Sequence, residues 1–244
     1  MTASVWLRVA TVAVCMAWLA MGWTSLAMTI ASIWAASRIE EPQSGTGSAA
    51  WPSREFLPQL GAYICFGVGY IAYMTFVIAW MRDNGSGTGQ VIVVWFVLGL
   101  ATLVAPAVWT GPCARWPGGR PLAAVMAVLA TGAMLPAVSA APLPMVASAA
   151  LFGIAGFSAP SAVGAFVRKA LAKQAWGSAM AAFTTAFAAS QIAGPILTGM
   201  VADRFGSLRP GLIASALVLL LGSAIALGQR ERRHVAAAAS AARC

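Results

Sequence analysis

The sequence predicts an all-α polytopic membrane protein of about seven transmembrane helices, and three observations carry that class. Hydrophobic residues make up 60% of the chain and charged residues only 9%, against about 25% charged in an ordinary soluble domain. Charge-free apolar runs long enough to cross a bilayer recur along all 244 residues, and the mean hydropathy is +0.82. None of these runs alternates at period two as a barrel strand must, so helices are the structure that satisfies their backbone in lipid.

Charges, Pro/Gly clusters and polar stretches mark the boundaries of the spans. The first covers residues 9–30 and stays apolar to Ala36, longer than a bilayer needs, so it tilts or continues along the interface near Trp34. Arg8 is the only charge before it, and its apolar core is too long for a secretory signal, so no cleaved leader is expected. Residues 37–57 mix Pro, Gly, Ser and both charges, the composition of a flexible linker. They separate a single-helix segment, 1–36, from a six-helix segment, 58–228, which precedes a basic tail, 229–244. The six further spans cover 58–81, 91–110, 121–140, 144–166, 178–200 and 210–228. Gly194-Pro195 lies inside the sixth span of the seven, where a soluble helix would break but a membrane helix tolerates the pair.

Loop charge orients the bundle. Of the 15 Lys and Arg residues, only Arg8, Arg82, Arg204 and Arg209 fall in one alternate set of loops, and the rest fall in the other. The positive-inside rule puts the richer set, and the carboxyl terminus with it, in the cytoplasm, as a multi-pass protein of the inner membrane. The net charge of +9 is spread over several short loops. Anionic lipid headgroups of the bilayer are therefore its partner, and nucleic acid is not.

The residue inventory closes off several chemistries. Cys15, Cys65, Cys113 and Cys244 have no metal-binding or redox spacing. The single histidine, His234, sits in the basic tail, so no histidine triad, metal site or bis-His haem can be assembled. The chain is expected to be no enzyme and to need neither cofactor nor metal.

Polar groups inside the spans carry the remaining information, because each needs a partner or a cavity. On the second span Tyr63, Gly67, Tyr70, Met74 and Val77 share one helical face with Tyr73 beside it. Tyr63, near the span end, suits interfacial packing. Tyr70 and Tyr73 lie deeper and either pack among aromatics or line a cavity. On the fifth span Gly153, Phe157, Pro160, Gly164 and Arg168 are expected on one side with Ser161 at its border. The glycines suit close helix packing, Phe157 and Ser161 could meet a ligand, and Arg168 and Lys169 suit snorkelling at the cytoplasmic end. On the sixth span Thr184, Gln191, Pro195 and Thr198 align. Gln191 is the most informative, since its amide must bond to another helix or face a cavity. No Asp or Glu lies within any span, so no buried proton-relay carboxylate is expected.

These stretches carry a family resemblance. AASQIAGPILTGMVADRFGS (188–207) resembles the Gly-Pro motif of major facilitator superfamily transporters. FGVGYIAYMTF (66–76), LFGIAGFSAPS (151–161) and FTTAFAASQIAGP (183–195) are similar, in the same order, to the carboxyl-terminal half of its YbfB/YjiJ-like branch. The similarity covers residues 58–228 and, weakly, the first span. It implies half of a major facilitator fold: helices seven to twelve, preceded by helix six and the cytoplasmic connection between halves. It further implies a secondary transporter that moves a small solute by alternating access, and a chain lacking its amino-terminal half. Tyr70, Tyr73, Phe157, Ser161, Thr184 and Gln191 are then expected to line the solute cavity. Gly194, Pro195 and Gly199 are expected to form a hinge, with Asp203, Arg204 and Gly206 making the outer turn. One departure stands in GPCARWPGGRP (111–121), where Arg115 occupies the place of the family's Asp. Two other readings remain: a seven-helix receptor or sensor, and a non-transporting fragment or assembly partner.

Overall fold

The computed structural model describes residues 51–230 together with Ile30 and Trp34. The chain divides into two compact units, Met1–Gly47 and Ser48–Cys244. In the first unit Ile30 and Trp34 are helical, and the remainder of the predicted first span lies outside the described residues. So do residues 37–50 of the predicted linker and 231–244 of the predicted tail.

In the second unit the end of the expected linker is ordered. Ser53–Phe56 forms a 3-10 turn that runs directly into α1, Leu57–Asp83. Trp51 packs edge-on against Phe56, with ring centroids 5.5 Å apart, and anchors this entry. There follow α2 (Thr88–Arg115), α3 (Arg120–Val138), α4 (Pro142–Gly156), α5 (Ala159–Ala170), α6 (Trp176–Phe205) and α7 (Leu208–Leu227). They make six stretches long and apolar enough to cross a membrane, matching the second to seventh predicted spans.

Local chemistry sets the boundaries. Prolines stand in the first turn of α1, α3, α4 and α5, where the missing amide hydrogen costs nothing. Gly206 closes α6 in the left-handed conformation, φ 62°, and donates its N–H to the Ala202 carbonyl. Ser207 then caps α7, its hydroxyl accepting from the Arg209 amide. Asp203 and Arg204 thus sit in the last helical turn, and α6 runs past the predicted span to Gly206, whose left-handed conformation ends it.

The fifth predicted span is two helices. Pro160 cannot supply the amide hydrogen that the Gly156 carbonyl would need, and the chain parts at Phe157-Ser158 between α4 and α5. The single face expected for Gly153, Phe157, Pro160, Gly164 and Arg168 is therefore not formed. Gly153 and Gly164 are buried, whereas Phe157, Pro160 and Arg168 are exposed.

Helix pairing follows a pattern. The most extensive contacts are α1 with α7 and α6, α4 with α3 and α2, and α3 with α7. Exchanging α1 for α4, α2 for α6 and α3 for α7 returns the same set of pairs. Once the helices are placed, the exchange is visible in the sequence. Thr110-Gly111, Ala114 and Gly118 at the end of α2 match the spacing of Thr198-Gly199, Ala202 and Gly206 at the end of α6. Both terminal glycines have positive φ, 56° and 62°. Arg120-Pro121 opens α3 and Arg209-Pro210 opens α7. Phe66-Gly67 of α1 corresponds to Phe152-Gly153 of α4. At each of these two glycines a neighbour leaves no space for a side chain: Ser190 of α6 at Gly67, and Leu98 and Ala101 of α2 at Gly153.

Candidate functional site

Interior prolines release carbonyls, and the fates of those carbonyls organise the centre of the bundle. Pro136 of α3 leaves the Gly132 carbonyl without its helical donor. The Ser148 hydroxyl of α4 donates to that carbonyl at 2.6 Å, and the Tyr73 hydroxyl of α1 lies 2.7 Å from the same Ser148 oxygen. Tyr73 is 1% exposed, and its ring stacks on Phe152 at 3.9 Å. In this conformation Tyr73 closes a polar chain across three helices inside the core, and no part of it is presented to a cavity.

The α4–α5 break is satisfied from α2. The Trp109 indole N–H donates to the Ile154 carbonyl at 2.7 Å. The Thr102 hydroxyl reaches the Gly153 carbonyl at 3.3 Å while bonding the Leu98 carbonyl of its own helix at 2.9 Å. At the far end of the same helix pair, the Lys169 ammonium donates to the Cys113 and Trp116 carbonyls at 2.7 and 3.1 Å. A cation on the last carbonyls of α2 also opposes its dipole favourably. Sequence reasoning missed Thr102, Trp109 and Ser148. Ser148 lies across a helix pair from the carbonyl freed by Pro136, and Thr102 and Trp109 from carbonyls in the last turn before the α4–α5 break; the pairing is set by the fold.

An aromatic wall crosses α6, α1 and the break. Phe187 stacks on Tyr63 at 5.1 Å and on Phe66 at 5.4 Å. Phe66 meets Tyr70 at 5.3 Å, and Tyr70 meets Phe152 at 5.7 Å and Phe157 edge-on at 6.0 Å. Tyr70 and Phe187 are half-buried, and Phe157 is 52% exposed. Tyr70 and Phe157, two of the predicted site residues, are thus brought together at the break, and Phe187 is an addition to the predicted set.

On α6 the structure separates the predicted residues by environment. Thr184 and Gln191 flank Phe187 by about one turn on either side. Thr184 is exposed and Gln191 half-buried, and the Gln191 side-chain amide bonds to none of the described residues. Pro195 in addition withholds an amide hydrogen from the Gln191 carbonyl, so one position presents two kinds of polar group. Helix α6 nevertheless continues through Pro195. Gly194 lies against α1, where a Cβ would stand 2.5 Å from Ile71 Cγ2 and 2.6 Å from the Val68 carbonyl oxygen. At Gly199 the nearest atom is Phe76 Cζ at 3.9 Å, an ordinary contact. Close approach therefore demands glycine at 194 and not at 199.

A cavity of about 660 Å³ opens between α2 and α5. Trp109 and Cys113 form part of its α2 wall. Ser161, Ala165 and Arg168, spaced as one face of α5, line the other wall, and Phe157 stands over one end. The volume is in the range of small-molecule sites. Ser161 and Phe157, both predicted from the sequence, line it. Tyr70 touches its Phe157 rim, whereas Thr184 and Gln191 do not line it. Among the described residues no cluster of His, Cys, Asp or Glu could hold a metal ion.

Comparison with known proteins agrees with this architecture. A search of curated proteins finds no match. A family model described as uncharacterised MFS-type transporter YbfB matches residues 1–227, so the likeness takes in the first span as well as the stretch from residue 58 onward. Six membrane-length helices paired as two exchangeable triplets are what half of such a transporter requires. The chain belongs to the YbfB-like branch of the major facilitator superfamily of membrane transporters.

Proposed function

We propose that the chain moves a small organic solute across the inner membrane by alternating access, and that residues 51–230 form one wall of the solute path. The observation that carries this reading is Gln191. In hydrocarbon an amide needs a partner, yet this half-buried side chain has none among its neighbours, which suits a group that meets a solute. Tyr70, Phe157 and Ser161 at the α4–α5 break are the other contacts proposed, with Thr184 at the edge. The opposing wall belongs to a second six-helix half, rocking against this one around a site near the bilayer midplane. Loop charge supports a cytoplasmic carboxyl terminus, and the bilayer and the solute are the partners.

Proteoliposomes holding the chain co-expressed with its second half, preloaded with a small-metabolite extract, test the reading by counterflow. Retention or exchange of at least one solute beyond protein-free liposomes is expected. Gln191→Leu should lower that rate about tenfold or more with unchanged melting temperature. No exchange of any solute, or full exchange by Gln191→Leu, contradicts it. The second half has its own test: coding DNA upstream of Met1 should continue in frame for about five further spans, and a stop codon with an independent ribosome site contradicts that part.

A further inference from the structure

The cavity between α2 and α5 carries one feature that transport in general does not require. Its two cations have different duties. Lys169 is spent on the Cys113 and Trp116 carbonyls. Arg168 makes no hydrogen bond or ion pair among the described residues, although it lines the cavity.

The direction of Arg168 also departs from expectation. Snorkelling would carry the guanidinium along α5 past its carboxyl end. Instead a Cβ placed on Gly164, one turn earlier, would lie 3.5 Å from Arg168 Nη1, so the guanidinium folds back over Gly164 toward the break. Helical side chains tilt toward the amino terminus, and the bare backbone of Gly164 gives the planar group room to follow that tilt. A free guanidinium is thereby held beside an apolar cleft, where a carboxylate could take its paired N–H donors. Among the described residues no acidic side chain lines the cleft, so a cationic solute would find no counter-charge from them. Beyond Arg168, Ala105 and Ala165 leave the space empty, and Trp109 and Phe157 present aromatic surface. The Ser161 hydroxyl, unbonded among the described residues, adds a polar point midway that an acyl chain of a lipid could not use.

We propose that this cleft binds an amphipathic aryl carboxylate, its acid group on Arg168 and its apolar body between Trp109 and Phe157. The proposal rests on the transport reading only for its role, as the class of solute carried; the binding geometry stands by itself.

Titration of the purified full chain in a neutral detergent with 2-naphthoate, and with the isosteric 2-naphthamide, tests it. The carboxylate should bind about tenfold more tightly than the amide, a margin that shrinks with added salt. Arg168→Gln should bring the two within about twofold at unchanged melting temperature, and Arg168→Lys should restore part of the preference. Equal binding of both probes, no saturable binding, or a preference that survives Arg168→Gln overturns the site. An anionic phospholipid that survives delipidation, is lost in Arg168→Gln and is not displaced by 2-naphthoate also overturns it, as the occupant is then lipid. Tight 2-naphthoate binding without its uptake by proteoliposomes keeps the site and overturns its use in transport. Counterflow of other solutes with no carboxylate preference keeps transport and overturns the cleft's role in it.

Discussion

Gly194 and Gly199 lie on the same helix, yet a methyl group would meet different surroundings at each. At Gly194 it would press on Ile71 and on the Val68 carbonyl of α1; at Gly199 it would make ordinary contact with Phe76. Backbone cannot swing aside as a side chain can, so Gly194→Ala should cost about 1–3 kcal/mol through overpacking. Gly199→Ala should change stability by less than about 0.5 kcal/mol. Thermal unfolding in detergent reads both; equal effects would contradict the packing. The sequence singled out both glycines, because a Gly-Pro pair and a following glycine in an apolar run are conspicuous. Which of them touches another helix was not legible, since that depends on which face of α6 meets α1. Tyr73 shows the same limit: its depth in the span was legible, but its Ser148 partner lies on another helix and outside any motif.

At the scale of elements, prolines decide more than hydropathy does. The α4–α5 break follows from the missing amide of Pro160, and its cost is reduced because α2 presents Thr102 and Trp109 to the freed carbonyls. Trp109→Phe keeps the ring and removes the N–H, leaving the Ile154 carbonyl without its indole donor. A loss of about 1–3 kcal/mol is expected, again by thermal unfolding, and none would mean the break does not depend on α2. The sequence contained the break's cause but not its rescue: Pro160 is in plain view, whereas the contact of α2 with α4 joins residues far apart in the chain. Pro195 poses the converse case, an unbroken helix with a proposed hinge. Pro195→Ala returns an amide hydrogen to the Gln191 carbonyl and should stabilise α6 by about 1 kcal/mol while slowing exchange in the counterflow assay. Unchanged exchange eliminates the hinge.

The whole molecule is legible from the sequence to the extent that solvent dictates it. Hydrocarbon requires long apolar helices, so their number and approximate ends could be read directly, and the six described spans agree with them. The exchange symmetry was written in the sequence as paired Thr-Gly and Arg-Pro segments, but it emerges only once α2 is known to correspond to α6. The cleft between α2 and α5 was not legible in the sequence, because its lining residues come from two helices whose pairing is set by the fold. Two triplets of helices pair in the same pattern, and under the proposed function they serve as one wall that alternates access against a second. Ser161, on the cavity face of α5, reports that alternation most directly. With the four native cysteines replaced and a single Ser161→Cys introduced, a membrane-impermeant maleimide is applied to right-side-out and to inside-out vesicles. Alternating access predicts labelling from both sides; labelling confined to one side, or absent from both, would contradict it.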